Sequence, residues 1–251
     1  MKDILAQTLI IIPAYNEEAS LPSLLAEIRA VAPYSDIAVI NDCSRDHTAA
    51  VARRAGAAVL NLPCNLGVGG AVQAGFLYAF SRGYQYVLRC DGDGQHTPSE
   101  IPKLVAAMRE GQGDLIIGSR FKAENNGSYT STAWRSAGIH GLALLLSLIC
   151  RSRITDPTSG FQMLNRPLIY CFAHSYPADY PEPESLALLR RQGYSFKEVA
   201  CAFRARQGGK SSIRSWGAIY YLLKVSLALL VDRARTVDTR LARHNAIMEA
   251  V

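Results

Sequence analysis

Short apolar runs recur along the first half of the chain, separated by segments of helical character. The runs lie at residues 9–12, 37–40, 58–62, 86–88 and 115–117. Apolar runs of this length, without alternating polar residues, are typical of strands buried on both faces of a parallel sheet. The segments between them predict helices at residues 21–28, 48–55, 67–80 and 99–110. The alternation predicts an α/β fold in which helices flank a mostly parallel central sheet.

Three polar clusters follow predicted strands directly, at residues 15–17, 41–44 and 91–95. In open parallel sheets, ligands bind beyond the carboxyl ends of the strands. Because all three clusters fall at such ends, they predict a binding site along one edge of the sheet.

The strongest chemical signal is the hexapeptide DGDGQH at residues 91–96. Asp91 and Asp93, separated by one glycine, are able to converge on one hard cation, and oxygen ligands favour Mg²⁺ or Mn²⁺. Such a cation would neutralise a departing nucleotide diphosphate. The alternative is a simple turn, since Asp-Gly pairs are common in turns. The two interpretations are compatible.

A glycine-rich loop, NLGVGG at residues 65–70, precedes a predicted helix. Gly67 and its neighbours resemble a loop that cradles phosphate at a helix N-terminus. The spacing is not GxGxxG, and the loop follows the third predicted strand rather than the first. This argues against a dinucleotide-binding oxidoreductase. A tight entry into the helix, without ligand contact, explains the loop equally well.

Beyond about residue 120 the alternation is lost. Residues 122–132 predict a polar loop, and residues 139–150 are almost entirely apolar. A helix of that length reaches about 18 Å, short of the ~30 Å hydrocarbon core of a bilayer. It is therefore either a core helix or a helix lying in the membrane interface. A second apolar stretch, residues 216–231, has basic residues on both sides and predicts an interfacial anchor or a dimer interface.

The net charge of +6 lies entirely beyond residue 200, where nine basic side chains face three acidic ones. A basic segment of this kind predicts an anionic partner such as a phosphate or a lipid headgroup. No aromatic and basic platform typical of nucleic-acid binding accompanies it. Six scattered cysteines without a CxxC pair, and no predicted export signal, are typical of a protein of the reducing cytosol.

Six motifs, taken together and in order, resemble glycosyltransferase family 2. They are IPAYNE at 12–17, NDCS at 41–44, NLG at 65–67, DGDGQH at 91–96, GSR at 118–120 and DPTSGF at 156–161. Within the family, they look most like dolichol-phosphate mannosyltransferase and the bacterial polyprenyl-phosphate glycosyltransferases. The resemblance covers residues 8–213 and implies a Rossmann-like GT-A catalytic domain over 1–213. Residues 214–251 would then form a basic, helical C-terminal segment.

The resemblance also implies roles for individual residues. The nucleotide would contact Pro13, Ala14, Tyr15, Glu17 and Asp42. The metal and diphosphate site would contain Asp91, Asp93 and Gln95. The acceptor phosphate would contact Arg120, Arg135 and Ser136, and a basic loop carrying Arg206 and Lys210 would close over phosphates. Glu184 stands where the family has an acidic residue on a helix. Two departures are Asn41, where the family usually has Asp, and Gly92, where Ala is common.

The activity implied is inverting transfer of a sugar from a UDP- or GDP-linked donor to a polyprenyl phosphate, at the cytoplasmic face of a membrane. A phosphate monoester is already anionic, so it can attack without a strong base, and arginines and a cation would offset the repulsion. A hydroxyl acceptor, as in polysaccharide synthesis, would instead need a base such as Glu184, Glu182 or Asp179. A catalytically silent binding or scaffold protein is the alternative from another class.

Overall fold

The computed structural model describes residues 1–122, 133–205, 224–228, 231 and 236–250, without the side chains of 133–137, 246 and 248–250. The described residues contain a seven-stranded sheet in the order β3-β2-β1-β4-β6-β5-β7. Its strands are β1 (Thr8–Ala14), β2 (Asp36–Asn41), β3 (Ala58–Asn61), β4 (Tyr86–Arg89), β5 (Leu115–Ser119), β6 (Gln162–Asn165) and β7 (Phe196–Ala200).

The sheet is mostly parallel, which confirms the prediction. Strand β1 pairs in parallel with β2 and β4, β2 with β3, and β5 with β7. Strand β6 runs antiparallel to both β4 and β5. The sequence analysis predicted β1 to β5 but neither β6 nor β7. Both are short, and β7 is only partly buried, so neither shows the continuous apolar run of the first strands.

Helices cover both faces of this sheet. They are α1 (Lys2–Leu5), α2 (Leu21–Val31), α3 (Thr48–Arg54), α4 (Gly67–Ser81), α5 (Ile101–Arg109), α6 (Ala133–Cys150), α7 (Arg166–His174), α8 (Pro181–Arg191) and α9 (Arg243–Ala250). One apolar core contains side chains of α2, α3 and α5, and the other contains side chains of α4, α6, α7 and α8. Successive side chains of β1 alternate between the two cores, since Ile10 and Ile12 face one and Leu9 and Ile11 the other.

Helix α6 contains the first of the two apolar stretches. Its inner face packs in the core through Leu142 and Leu146, so the core interpretation is confirmed for that face. Leu144 and Leu148 on the outer face are 65% and 69% exposed. None of the helices in the described residues has the length and apolarity needed to cross a bilayer.

Several predicted features lie outside the described residues. These are most of the polar loop at 122–132, the basic loop with Arg206 and Lys210, and most of the apolar stretch at 216–231. All six cysteines are described as free thiols, and four of them are buried.

Candidate active site

The loops after β1, β2 and β4 meet at one edge of the sheet. The backbone N–H of Asp42 donates to the carbonyl of Ala14 (2.9 Å), and that of Gly92 donates to the carbonyl of Pro13 (3.3 Å). Oγ of Ser20, the residue before α2, lies 2.6 Å from the carbonyl oxygen of Gly92 and 2.9 Å from Oε2 of Glu17. The structure thus brings together the first loop and the DGDGQH motif, as the strand ends predicted.

The loops after β1 and β2 are also pinned to one another. Asn16 and Cys43 both have positive φ, at 56° and 59°, a backbone conformation that residues other than glycine rarely adopt. Asn16 donates its N–H to Oγ of Ser44 (3.0 Å), and its Oδ1 accepts the N–H of Arg45 (2.8 Å). These bonds hold the chain where it turns away from the sheet, beside the exposed ring of Tyr15.

Asp42 is buried and holds the start of α4. Its Oδ1 accepts the N–H of Leu66 (2.7 Å) and its Oδ2 accepts the N–H of Gly67 (2.9 Å). A carboxylate at a helix N-terminus satisfies otherwise unpaired donors and is favoured by the helix dipole. In this structure the two backbone donors bind a side chain of the same protein. The nucleotide contacts of Asp42 and Gly67 stay predictions.

A packing requirement explains part of the glycine-rich loop. A Cβ on Gly69 would lie 2.8 Å from the carbonyl oxygen of Pro177 and in overlap with the backbone of Ala178. Glycine at this position therefore lets the first turn of α4 approach the loop that leads into α8. The tight helix entry of the sequence analysis accounts for Gly69 without a ligand.

The DGDGQH motif forms a turn directly after β4. Oδ1 of Asp93 accepts the N–H of Gln95 (3.0 Å), and Gly94 has a φ of 74°. Arg204, after β7, fixes the outer side of this turn by donating from Nε to the carbonyl of Gly94 (3.1 Å) and from its N–H to the carbonyl of Gln95 (3.1 Å). Both predicted features, the turn and the neighbouring carboxylates, therefore occupy the same residues.

Arg89, which the sequence analysis missed, lies beneath Asp91. Its side chain is 1% exposed, and its Nε lies 2.9 Å from Oδ1 of Asp91. Its Nη2 lies 2.8 Å from Oε1 of Glu182 on α8. Burial opposes its charged form, but the attraction of Asp91 and Glu182 outweighs burial and raises the pKa of the guanidinium. A sequence signal existed: Arg89 interrupts an apolar strand two residues before Asp91, which puts both side chains on one face.

His96 closes the inner side of the motif. Its Nδ1 accepts the N–H of Asp91 (3.0 Å), so the proton of the neutral ring is on Nε2. The ring stacks on Phe161 with centroids 5.0 Å apart and meets the edge of Phe203 at 5.3 Å. Burial lowers the pKa of His96 despite the nearby carboxylates of Asp91 and Asp93. Neutral His96 is therefore a packing and hydrogen-bonding element of the site.

Arg120 is buried in a bidentate ion pair. Its Nε and Nη2 lie 2.8 and 2.7 Å from the two carboxylate oxygens of Asp156, and Nη2 also donates to Oγ1 of Thr158 (2.7 Å). Glu198 on β7 in turn accepts the N–H groups of Thr155 and Asp156 at 2.9 Å. The DPTSGF motif thus serves to hold Arg120, and the phosphate contact of Arg120 stays a prediction.

Helix α8 approaches the site with its acidic first turn. It begins at Pro181, and both Glu182 and Glu184 lie in that turn. The ion pair of Glu182 with Arg89 was not predicted. Arg135 lies in the first turn of α6, and its side chain and that of Ser136 are outside the described residues. Their acceptor contacts stay predictions.

The carboxylates fit a divalent cation that is shared with a substrate. Among the residues described, no three or more His, Cys, Asp and Glu side chains form a complete metal site. Mg²⁺ in nucleotide enzymes usually takes one or two carboxylates and completes its coordination with phosphate oxygens and water. Asp91 and Asp93 supply two carboxylates, and a Cβ on Gly160 would lie 2.7 Å from Oδ2 of Asp91. Glycine at 160 keeps space beside this carboxylate.

Known proteins resemble this chain in sequence and fold. The family model for glycosyl transferase family 2 matches residues 9–172. Undecaprenyl-phosphate mannosyltransferase of Micrococcus luteus is 32% identical, over 81% of this chain and 79% of that protein. Polyprenol monophosphomannose synthase of Mycolicibacterium smegmatis is 29% identical, over 92% of this chain and 91% of that protein.

Among solved structures, glucosyl-3-phosphoglycerate synthase of Mycobacterium tuberculosis, in complex with Mn²⁺, UDP and glucosyl-3-phosphoglycerate, superposes with a TM-score of 0.67. It is 20% identical, and the match covers 94% of this chain and 84% of that one. This chain therefore belongs to glycosyltransferase family 2, and it is a glycosyltransferase with the GT-A fold.

Proposed function

We propose that this protein transfers a sugar from a UDP- or GDP-linked donor to a polyprenyl phosphate, with inversion at the anomeric carbon and with Mg²⁺ or Mn²⁺. The observation that carries the donor half is the pair Asp91 and Asp93 at the carboxyl end of β4, held by Arg89 and Arg204 beside the first loop. The acceptor half is supported by the relatives whose names include undecaprenyl phosphate and polyprenol monophosphomannose.

On the donor side, the protein supplies a rigid frame for a diphosphate. Ser20 fixes the first loop to Gly92, so that Glu17 and the Asp91–Asp93 turn keep one geometry. The bound cation would supply positive charge to the departing nucleotide diphosphate. Because these groups are preorganised, little reorganisation is needed when charge develops on the leaving group.

On the acceptor side, a phosphate monoester carries its own negative charge and needs no strong base. The charge of Arg120 is already balanced by Asp156. Arg120 would therefore shape the acceptor pocket more than it would balance the charge of the acceptor phosphate. The net positive charge for the acceptor phosphate would come from Arg135, Arg206 and Lys210. Basic side chains in these positions would offset repulsion between the two anionic substrates.

We also propose that α6 brings the site to a membrane surface, where a polyprenyl phosphate is anchored. Its first turn carries Arg135, and its outer face carries the exposed Leu144 and Leu148. Exposed Arg151 and Arg153 follow at the end of the helix. Exposed leucines bordered by arginines suit an interface of acyl chains and anionic headgroups.

The test is product formation with purified protein, a panel of nucleotide sugars, Mg²⁺ or Mn²⁺ and a short polyprenyl phosphate. We expect glycolipid in the organic phase from one donor, and none after EDTA or with Asp91→Ala. Circular dichroism of Asp91→Ala shows whether the fold is kept. Full activity of a folded Asp91→Ala variant would contradict the metal site. Donor binding without any lipid product would contradict the lipid acceptor and favour a hydroxyl acceptor.

A further inference from the structure

Arg89 joins the turn that carries Asp91 to the first turn of α8. Arg89 and Asp91 lie two residues apart at the end of β4, and Nε of Arg89 lies 2.9 Å from Oδ1 of Asp91. The other arm of the guanidinium reaches Glu182 at 2.8 Å, in the first turn of α8. That turn also carries Glu184. One buried side chain therefore fixes the orientation of Asp91 relative to α8.

Gly160 lies close to both side chains. A Cβ on this residue would lie 2.7 Å from Oδ2 of Asp91 and 2.8 Å from Nη2 of Arg89. Oδ1 of Asp91 therefore faces Arg89, whereas Oδ2 lies beside Gly160, where the missing side chain leaves space. The two carboxylate oxygens have fixed and different surroundings.

The charges of this cluster explain why Glu182 is present. Arg89 alone would cancel one of the two negative charges that Asp91 and Asp93 offer to a cation. Glu182 restores that charge, so the four side chains together carry a formal charge of −2. The same carboxylate also balances the buried charge of Arg89, so that Asp91 is not the sole counter-charge of the guanidinium.

Fold stability by itself does not account for the cluster. Replacing a buried ion pair with apolar side chains of similar volume is often neutral or stabilising. Arg89 instead places its Nε against Asp91 and its Nη2 against Glu182, an arrangement that orients the Asp91 carboxylate.

We propose that Arg89 and Glu182 are positioning residues for cation binding: Arg89 orients the Asp91 carboxylate, and Glu182 compensates the charge of Arg89. This inference rests on the proposed function, because it assumes that Asp91 and Asp93 bind a divalent cation. It adds two residues that act through Asp91 and have no direct contact with the cation.

The experiment measures binding of Mn²⁺ alone to the full chain, by the loss of the free Mn²⁺ signal in electron paramagnetic resonance. In the double variant Arg89→Met/Glu182→Gln, the buried charges are removed together, so the melting temperature should stay close to that of the unchanged protein. We expect its Mn²⁺ affinity to fall about tenfold, the range known for residues that orient metal ligands. Arg89→Lys keeps the positive charge but loses the two-armed guanidinium, and its Mn²⁺ affinity should fall by less.

A matched control is Arg243→Gln, which removes a partner of Asp114 at the opposite end of the sheet. Its Mn²⁺ affinity should be unchanged. Unchanged affinity in the folded Arg89→Met/Glu182→Gln variant would overturn the positioning role and leave the proposed function intact. If the unchanged protein bound no Mn²⁺, the metal site and this inference would both fail, and the glycolipid assay would then test the transfer reaction separately.

Discussion

Oδ2 of Asp42 lies 2.9 Å from the backbone nitrogen of Gly67, so the carboxylate that follows β2 holds the first residue of α4. Oδ1 holds the neighbouring N–H of Leu66 in the same way. The residue that the family resemblance assigns to the nucleotide is thus also a structural anchor between two loops of the site. Substitution of Asp42 should therefore change both stability and donor affinity.

We expect Asp42→Ala to lower the free energy of unfolding by about 1–2 kcal/mol, because the N–H of Leu66 loses its acceptor and that of Gly67 keeps only the longer bond to Oδ1 of Asn65 (3.2 Å). Asp42→Asn keeps one acceptor oxygen and should lose about half as much. Urea unfolding measures this loss, and the KM for the donor measures any nucleotide contact. Native stability in both variants would show that water replaces the carboxylate at no cost.

The buried pair of Arg120 and Asp156 should be sensitive to removal of one partner. We expect Asp156→Asn to lower the free energy of unfolding by about 3–5 kcal/mol, since it leaves a buried guanidinium uncompensated. The control is Glu27→Gln, which removes a partly exposed partner of Arg204 and should cost at most about 1 kcal/mol. Equal losses in the two variants, measured in urea, would contradict this assignment.

Two helical glycines should respond to alanine in opposite directions. Gly69→Ala would press a Cβ against the backbone of Pro177 and Ala178, and we expect a loss of about 1–3 kcal/mol. Gly141 lies on the exposed face of α6, and no atom of the described residues outside its own helix backbone and chain neighbours lies within 4 Å of an added Cβ. Gly141→Ala should therefore gain about 0.5–1 kcal/mol through helix propensity. Thermal unfolding of both variants tests the pair, and a stabilising Gly69→Ala would contradict the packing at the α4 entry.

Asp114 should give the protein a pH-dependent contribution to stability. Burial alone would raise its pKa, but hydrogen bonds from Ser195 and Asn165 and the charge of Arg243 outweigh burial and lower it. A lowered folded-state pKa gives stability that is complete above the unfolded value of about 3.9 and is lost as the pH falls through the folded value.

Asp114→Asn should therefore cost about 1–3 kcal/mol at pH 7, where the native carboxylate is charged, and the deficit should shrink below about pH 4. Urea unfolding of both proteins over this range measures it. If the loss in the free energy of unfolding stays constant down to pH 3, the charge of Asp114 adds no stability beyond the hydrogen bonds that the side chain accepts.

The proposed membrane contact of α6 is tested with vesicles. We expect Leu144→Ser/Leu148→Ser to reduce co-sedimentation with vesicles of phosphatidylcholine and phosphatidylglycerol roughly tenfold, since each leucine contributes about 1 kcal/mol or more when buried in lipid. The control is Leu77→Ser on α4, a leucine that is 52% exposed. Equal vesicle binding of the two variants would contradict the proposed contact between α6 and the membrane.

Much of the fold could be predicted from the sequence because the patterns that indicate its strands and helices are local. The apolar runs predicted β1 to β5, and the polar clusters at their ends predicted that Asp42 and Asp91 lie at the same edge of the sheet. Burial on both faces forces these runs to be continuous, and the register of parallel strands forces their ends together. The family resemblance rests on the same local motifs.

The tertiary structure decided what is non-local. Strand β6 enters antiparallel between β4 and β5, which no short apolar run indicates. The partners of Arg89 and Arg120 lie 93 and 36 residues away in the chain, at Glu182 and Asp156. Such a pair forms because burial of a charge is costly until a distant carboxylate is folded against it. The sequence alone predicted the candidate site residues, and the packing of α8 and β7 determined which of them are held together.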